Sequence, residues 1–169
     1  MSARLNFNVR LLDLLHVCCQ MREDEQQQYL AVTGLSHYDP DVAAAMFWNL
    51  PGVKAVLLDD ENRALAIGGY QEVAAGVWQS WMVGSPEAWE RHWRAITKGS
   101  IALMDLMFDE FGARRLQTNS IASRTRAIDW YVRGLKMRPE GVMRGYGANG
   151  EDVATFALLK SERRTKRGQ

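Results

Sequence analysis

Apolar residues alternate with polar ones at Leu5, Phe7, Val9 and Leu11, a period of two that predicts a half-buried first strand. From Leu12 to about Val32 the pattern turns helical and thins out into Arg22-Glu23-Asp24-Glu25-Gln26, so a break near Met21 predicts two helices ahead of Gly34. Asp39-Pro40-Asp41 supplies an acidic N-cap and an early proline for a short helix over Val42 to Trp48, which Leu50-Pro51-Gly52 ends. The middle is strand-rich: Val53 to Leu58, a turn over Asp59-Asp60-Glu61-Asn62, Ala64 to Val73, a turn at Ala74-Ala75-Gly76, then Val77 to Val83. Three runs joined by such tight turns predict an antiparallel meander.

Ser85-Pro86-Glu87 reads as a helix start, and Trp89, Trp93, Ile96, Ser100, Leu103, Met107 and Phe111 then recur at helical spacing until Gly112. Arg115 to Ser120 predicts a fifth strand, Arg124 to Arg133 a helix, and Val153 to Leu159 a last strand after the Gly145 to Gly150 turn. The order is strand, short helices, three strands, helix, strand, helix, strand, an α/β arrangement with about six strands. A length of 169 residues fits one domain, placed at 1–159. No apolar run reaches the ~20 residues of a membrane span. Met1 to Arg10 lacks a secretory pattern, and Asp13 and His16 interrupt the apolar stretch after it, so a cytoplasmic protein without membrane attachment is expected.

Cys18 and Cys19 are adjacent and cannot staple a loop, so both are expected as reduced, packed thiols. Residues 160–169 hold five basic groups against Glu162, which leaves 1–159 net acidic. That segment is expected as a disordered basic tail, and any nucleic-acid contact would run through it. Of six tryptophans, Trp89 and Trp93 are expected to face the sheet, and Trp48 and Trp78 to serve a partner surface.

Two sets of motifs add a resemblance. Arg133-Gly134-Leu135, Pro139-Glu140-Gly141-Val142-Met143-Arg144, Asn149-Gly150-Glu151-Asp152 and the strand ending Leu158-Leu159 resemble the chain ending of GNAT acyl-CoA-dependent N-acyltransferases of the ribosomal-protein type. Arg22, Asp24, Glu25 and Gly34, then Ala66-Ile67-Gly68-Gly69, Trp81-Met82-Val83 and His92-Trp93-Arg94-Ala95-Ile96, resemble the GNAT-like internal virion protein A family of short-tailed bacteriophages. The resemblance implies a GNAT fold: a mostly antiparallel twisted central sheet flanked by helices, with a V-shaped acyl-CoA cleft between the fourth and fifth strands. It implies acetyl-CoA as cosubstrate and an amine of a protein as acceptor. The other reading it leaves open is a catalytically degenerate GNAT fold that binds a phage or host protein in virion assembly. Oligomeric state stays open.

In this family the pyrophosphate sits on the amides of a glycine loop at a helix N-terminus. Here Arg94-Ala95-Ile96-Thr97-Lys98-Gly99 keeps only the first and last residues of that loop, and the register Arg91 to Ile96 has no glycine. Either Arg91, Arg94 and Lys98, with Gly99, supply the phosphate contacts, or the chain from Pro86 to Phe111 is one continuous helix with a solvated basic face. The resemblance also implies that the backbone of Met82 and Val83 pairs with pantetheine. Counted back from Gly134, the family's general-acid tyrosine falls on Trp130, with Tyr131 next to it; Tyr131 becomes the candidate acid. The usual asparagine before that helix corresponds to Ser123 or, with a slipped loop, to Asn119. Glu72 and His92 are the candidate bases.

Overall fold

The computed structural model describes residues 3–163. Its sheet has seven strands in the order β1-β2-β3-β4-β5-β7-β6, formed by β1 (Arg4–Asn6), β2 (Val53–Leu58), β3 (Ala64–Ala74), β4 (Val77–Gly84), β5 (Arg115–Ile121), β6 (Arg138–Met143) and β7 (Val153–Leu159). Every neighbouring pair is antiparallel except β4 and β5. Helices α1 (Leu11–Cys18), α2 (Glu23–Thr33) and α3 (Pro40–Asn49) precede the meander. After β4 come α4 (Pro86–Arg91) and α5 (Trp93–Asp109), and after β5 a short α6 (Thr125–Asp129) that continues into a π turn over Trp130–Gly134.

Local chemistry sets these boundaries. Asp39 Oδ1 accepts from the amides of Asp41 (2.9 Å) and Val42 (3.1 Å), with Pro40 in the first turn of α3, as the sequence predicts. Gly34 ends α2 in the left-handed region at φ 72°. Two apolar layers sandwich the sheet. Leu14, Val17 and Cys18 of α1 and Ala43 of α3 pack on Val56, Ile67 and Val83. On the opposite face, Leu103, Met107 and Phe108 of α5 pack on Tyr70, Leu116 and Phe156.

Several expectations are corrected. The first strand is only three residues long. Asp13 Oδ2 accepts the Arg10 amide at 3.0 Å and opens α1 at Leu11, which leaves Phe7 and Leu11 on the surface. The sheet has seven strands, not six, because β6 pairs with β7 at the edge. Pro139 and Gly141 disguise it as a loop, and its pairing shifts register between those two residues. Cys18 is buried, its thiol pushed up to about 12 by desolvation, but Cys19 is exposed. Trp93 faces solvent rather than the sheet, and Trp78 is core rather than partner surface, while Trp48 is exposed as expected. Of the expected tail, residues 160–163 are attached to α5. Lys160 Nζ donates to the Phe108 carbonyl (2.8 Å), and Arg163 pairs with Asp105 (2.8 Å) and Asp109 (2.5 Å). The rest of that tail lies outside the described residues. Among the described residues, no helix is long and apolar enough to cross a membrane.

The Gly68-Gly69 pair lies in β3, opposite Ala55 and Lys54 of β2 and Met82 and Trp81 of β4. A Cβ on Gly69 would collide with the Val53 carbonyl oxygen of β2, which the ladder holds in place. Gly69→Ala is therefore expected to cost ~3 kcal/mol or more in urea unfolding, the upper range for overpacking. A change within ~0.5 kcal/mol would show that β2 can yield there.

Candidate active site

Strands β4 and β5 run parallel but pair only over Val77–Gln79 and Arg115–Gln117. Beyond that point β4 stays paired with β3 up to Gly84 and β5 with β7 up to Ile121, so the two strands diverge. The backbone of Ser80 to Val83 has no strand partner on the side facing β5. This is the V-shaped cleft between the fourth and fifth strands that the resemblance implies.

The π turn closes the cleft from one side. The Leu135 amide donates to the Trp130 carbonyl at 3.0 Å, a five-residue step that winds one extra residue into the turn. Trp130 and Tyr131 consequently both reach a cavity of about 50 Å³, together with Ser80, Trp81, Met82 and Thr118. The Tyr131 ring packs on Phe156 (centroids 5.5 Å apart), and Thr118 lines the same cavity. Burial raises the pKa of Tyr131, against the opposing pull of Arg124 and Thr118. The hydroxyl therefore keeps its proton at neutral pH.

Two side chains one turn apart on α2 brace the mouth of the V. Glu25 Oε2 accepts the Gly84 amide at the end of β4 (3.2 Å), and Gln28 Oε1 accepts the Ile121 amide at the end of β5 (2.6 Å). Glu25 is 6% exposed. Its other oxygen accepts from Trp89 Nε1 (2.9 Å) and faces Arg22 (3.5 Å) and Arg124 (3.9 Å). Asp24 bonds Arg124 (3.0 Å) and Arg22 (3.3 Å), which ties α2 to the residue before α6. Arg22 lies over the Trp89 ring at 5.2 Å, and Trp89 meets Trp130 edge to face at 5.3 Å. Trp130 Nε1 in turn donates to Thr97 Oγ1 of α5 (2.9 Å). One network thus joins both lips of the cleft to the helices around it.

The structure brings some predicted residues together and disperses others. Tyr131 and Met82 line the cavity, and Val83 follows Met82 on the open stretch of β4 with its side chain in the core beneath α1 and α3. Ser123 is exposed at the turn before α6, and neither it nor Asn119 lines the cavity. The helix after Pro86 is neither continuous nor opened by a glycine loop: buried His92 (φ −119°, ψ 13°) breaks it between α4 and α5. Arg91 is exposed and pairs with Glu87 (3.6 Å). Arg94 covers the Trp93 ring (4.6 Å) in the first turn of α5, and Lys98 follows one turn on. Gly99 faces Leu5 and Leu57 beneath the sheet, away from any phosphate position. Glu72 is exposed and caps the next hairpin by accepting the Gly76 amide (2.8 Å), so it is no base for the cleft. His92 lies inside the helix break and does not line the cavity either. Sequence reasoning missed Thr118, Gln28 and Arg124 as cleft residues. Glu25 stood in a family-like motif, but nothing in its spacing announced that it would hold β4.

The backbone of Ser80 to Val83 offers unpaired groups on the side facing β5, and the first turn of α5 carries Arg94, with Lys98 one turn on.

Comparison with solved structures decides the architecture. A GNAT-family acetyltransferase from Bacillus anthracis superposes with a TM-score of 0.73 at 14% identity, over 96% of this chain and 97% of that one. This chain has the GNAT fold. A spermidine N-acetyltransferase from Vibrio cholerae gives a TM-score of 0.74 at 11% identity, over 99% of this chain and 100% of that one. A ribosomal-protein-S5-alanine acetyltransferase from Vibrio fischeri gives 0.68 at 14%, over 98% and 97%. No protein-family model and no curated protein sequence matches this GNAT-fold chain.

Glu25 makes a pH prediction. Burial raises its pKa above the ordinary glutamate value, against the lowering pull of Arg22, the Gly84 amide and Arg124 and with a smaller raising effect of Asp24. A raised carboxyl binds its proton more tightly in the folded state, so its contribution to stability is full below the unfolded pKa of about 4.3 and declines as pH rises through the folded value. The stability difference between wild type and Glu25→Gln should therefore shift in the variant's favour from pH 4 upward in urea melts. A difference that moves the opposite way would show that the arginines outweigh burial.

Proposed function

We propose that this chain is an acyl-CoA-dependent N-acyltransferase whose acceptor is an amine carried by a protein. The observation that carries the reading is the half-buried Tyr131 side chain lining the cavity where β4 and β5 part. Bound along β4, an acyl-CoA supplies a thioester carbon open to attack by an amine. Tyr131 stands to give its proton to the departing sulfur as the carbon–sulfur bond breaks. The backbone of Met82 and Val83 holds the pantetheine amide, and Arg94 and Lys98 face the phosphates. Trp81, Met82 and Trp130 exclude bulk water from the reacting atoms. No carboxylate or imidazole lines the cavity among the described residues, so the attacking amine loses its proton to water. The relatives in fold named above act on spermidine or a ribosomal protein, and this supports an amine acceptor.

The choice of a protein acceptor rests on α3. Phe47 stacks on the cavity residue Trp81 (4.9 Å, 19°), while its neighbours Met46 and Trp48 are exposed, a rim with the aromatic and methionine character of docking surfaces. The placement in a bacteriophage rests on the virion-protein motifs around Arg22, Trp81 and His92.

Thermal melting with acetyl-CoA, followed by a thiol-release assay, tests the reading. Ligand at about a hundred times its Kd adds ~2.7 kcal/mol, or roughly 5–10 °C for a domain of this size. The glycine-free helix start lowers the expectation to a few degrees at millimolar acetyl-CoA, and Arg94→Ala should shrink it. Tyr131→Phe should leave this shift in place and cut turnover about 10²–10⁴-fold, the range for a lost general acid. No shift at millimolar ligand would overturn the enzyme reading and leave the fold as a binding module.

A further inference from the structure

A second cavity of about 40 Å³ lies between α5 and the sheet beside the one that holds Tyr131. The two share one wall, made of Gly68, Met82, Ser100 and Leu103. Past that wall the second cavity runs sideways beneath β3 and β2, where Ala55, Leu57, Ala66 and Gly99 line it. Ser100 carries its one side-chain hydroxyl, and that residue belongs to the shared wall. The space exists because small residues meet from both sides: a Cβ on Gly99 would reach only ordinary contact, 3.5 Å from Leu5 Cδ1 and 3.7 Å from Leu57 Cδ1.

These volumes bear on the acyl group. A water-sized group needs about 10–15 Å³ by this measure, so each cavity holds roughly three non-hydrogen atoms. The Tyr131 cavity then suffices for the carbonyl and methyl of an acetyl thioester, with its polar wall at Ser80, Thr118 and Tyr131. The second is lined almost wholly by apolar side chains, and such a lining favours an apolar guest. We infer that the second cavity receives the tail of an acyl chain, so that the preferred thioester is a short branched or medium acyl-CoA of about five carbons rather than acetyl-CoA. Met82 and Leu103 form the gate between the carbonyl site and the tail site, and Met82 has the unbranched flexible side chain that such a gate needs.

This inference rests on the acyl-CoA reading above, and binding measurements separate the two without an acceptor. Melting curves and direct titrations are to be run on the full chain with CoA, acetyl-CoA and isovaleryl-CoA. Each buried methylene is worth about a fourfold gain in affinity, so isovaleryl-CoA should bind at least about tenfold tighter than acetyl-CoA. Ala55→Leu fills the second cavity from β2 and should abolish that preference while acetyl-CoA binds within about twofold of wild type. Gly99→Ala fills it mildly from α5 and should narrow the preference; it should also raise the melting temperature of the free protein, which provides a folded variant if Ala55→Leu is unstable. Equal or weaker binding of isovaleryl-CoA, with acetyl-CoA still bound, overturns the inference and leaves the acyltransferase reading intact. A preference that survives both substitutions overturns it as well, because the tail then lies elsewhere. Failure of all three ligands to bind overturns the acyl-CoA reading itself.

Discussion

The constraint on which this molecule depends is the early end of the β4–β5 pairing. After three paired residues the strands part, and each leaves backbone groups that the sheet no longer satisfies. Unpaired edges inside a fold are costly unless something else meets them. Helix α2 does so from above, with Glu25 on the last amide of β4 and Gln28 on the last amide of β5. The stretch between them stays open, and a ligand's own amides could complete the ladder there.

Holding the V open in this way requires a buried carboxylate. Desolvation disfavours the charge on Glu25, and two arginines and two N–H donors compensate for it. The same arginines meet Asp24, so the acidic run that starts α2 acts as a clamp on the residue before α6. Through Trp89 and Trp130 the clamp reaches the π turn, whose extra residue brings Tyr131 round to the cavity. The positions of Tyr131 and of the strand ends are therefore mechanically linked.

Much of the fold is legible in the chain. Periods of two and of three to four gave the meander, the long helix and the last strand, and Asp39-Pro40 marked α3. Edges were harder. The strand β6 is exposed along five of its six residues and carries Pro139 and Gly141, so it lacks the alternation by which strands are recognised. The first strand looked longer than it is, because Phe7 to Leu11 keeps a two-residue period after the chain has left the sheet. In the site, counting back from Gly134 fell on Trp130 and reached Tyr131 only as its neighbour, whereas Thr118, Gln28 and Arg124 lie on three different elements and carry no local signal of a shared cleft.

The sequence by itself determined which segments form strands and helices and in what order, since side-chain periodicity and capping are local properties. Only the tertiary structure decided that Glu25 is a brace rather than a surface charge, that His92 breaks the helix, and that Trp130 and Tyr131 both face the cavity. It alone opened the second cavity behind Met82 as well. The physical reason is the same in each case: burial, pairing and empty space arise where elements distant in sequence meet, and hydrophobic pattern along one element does not specify what fills the gap between two.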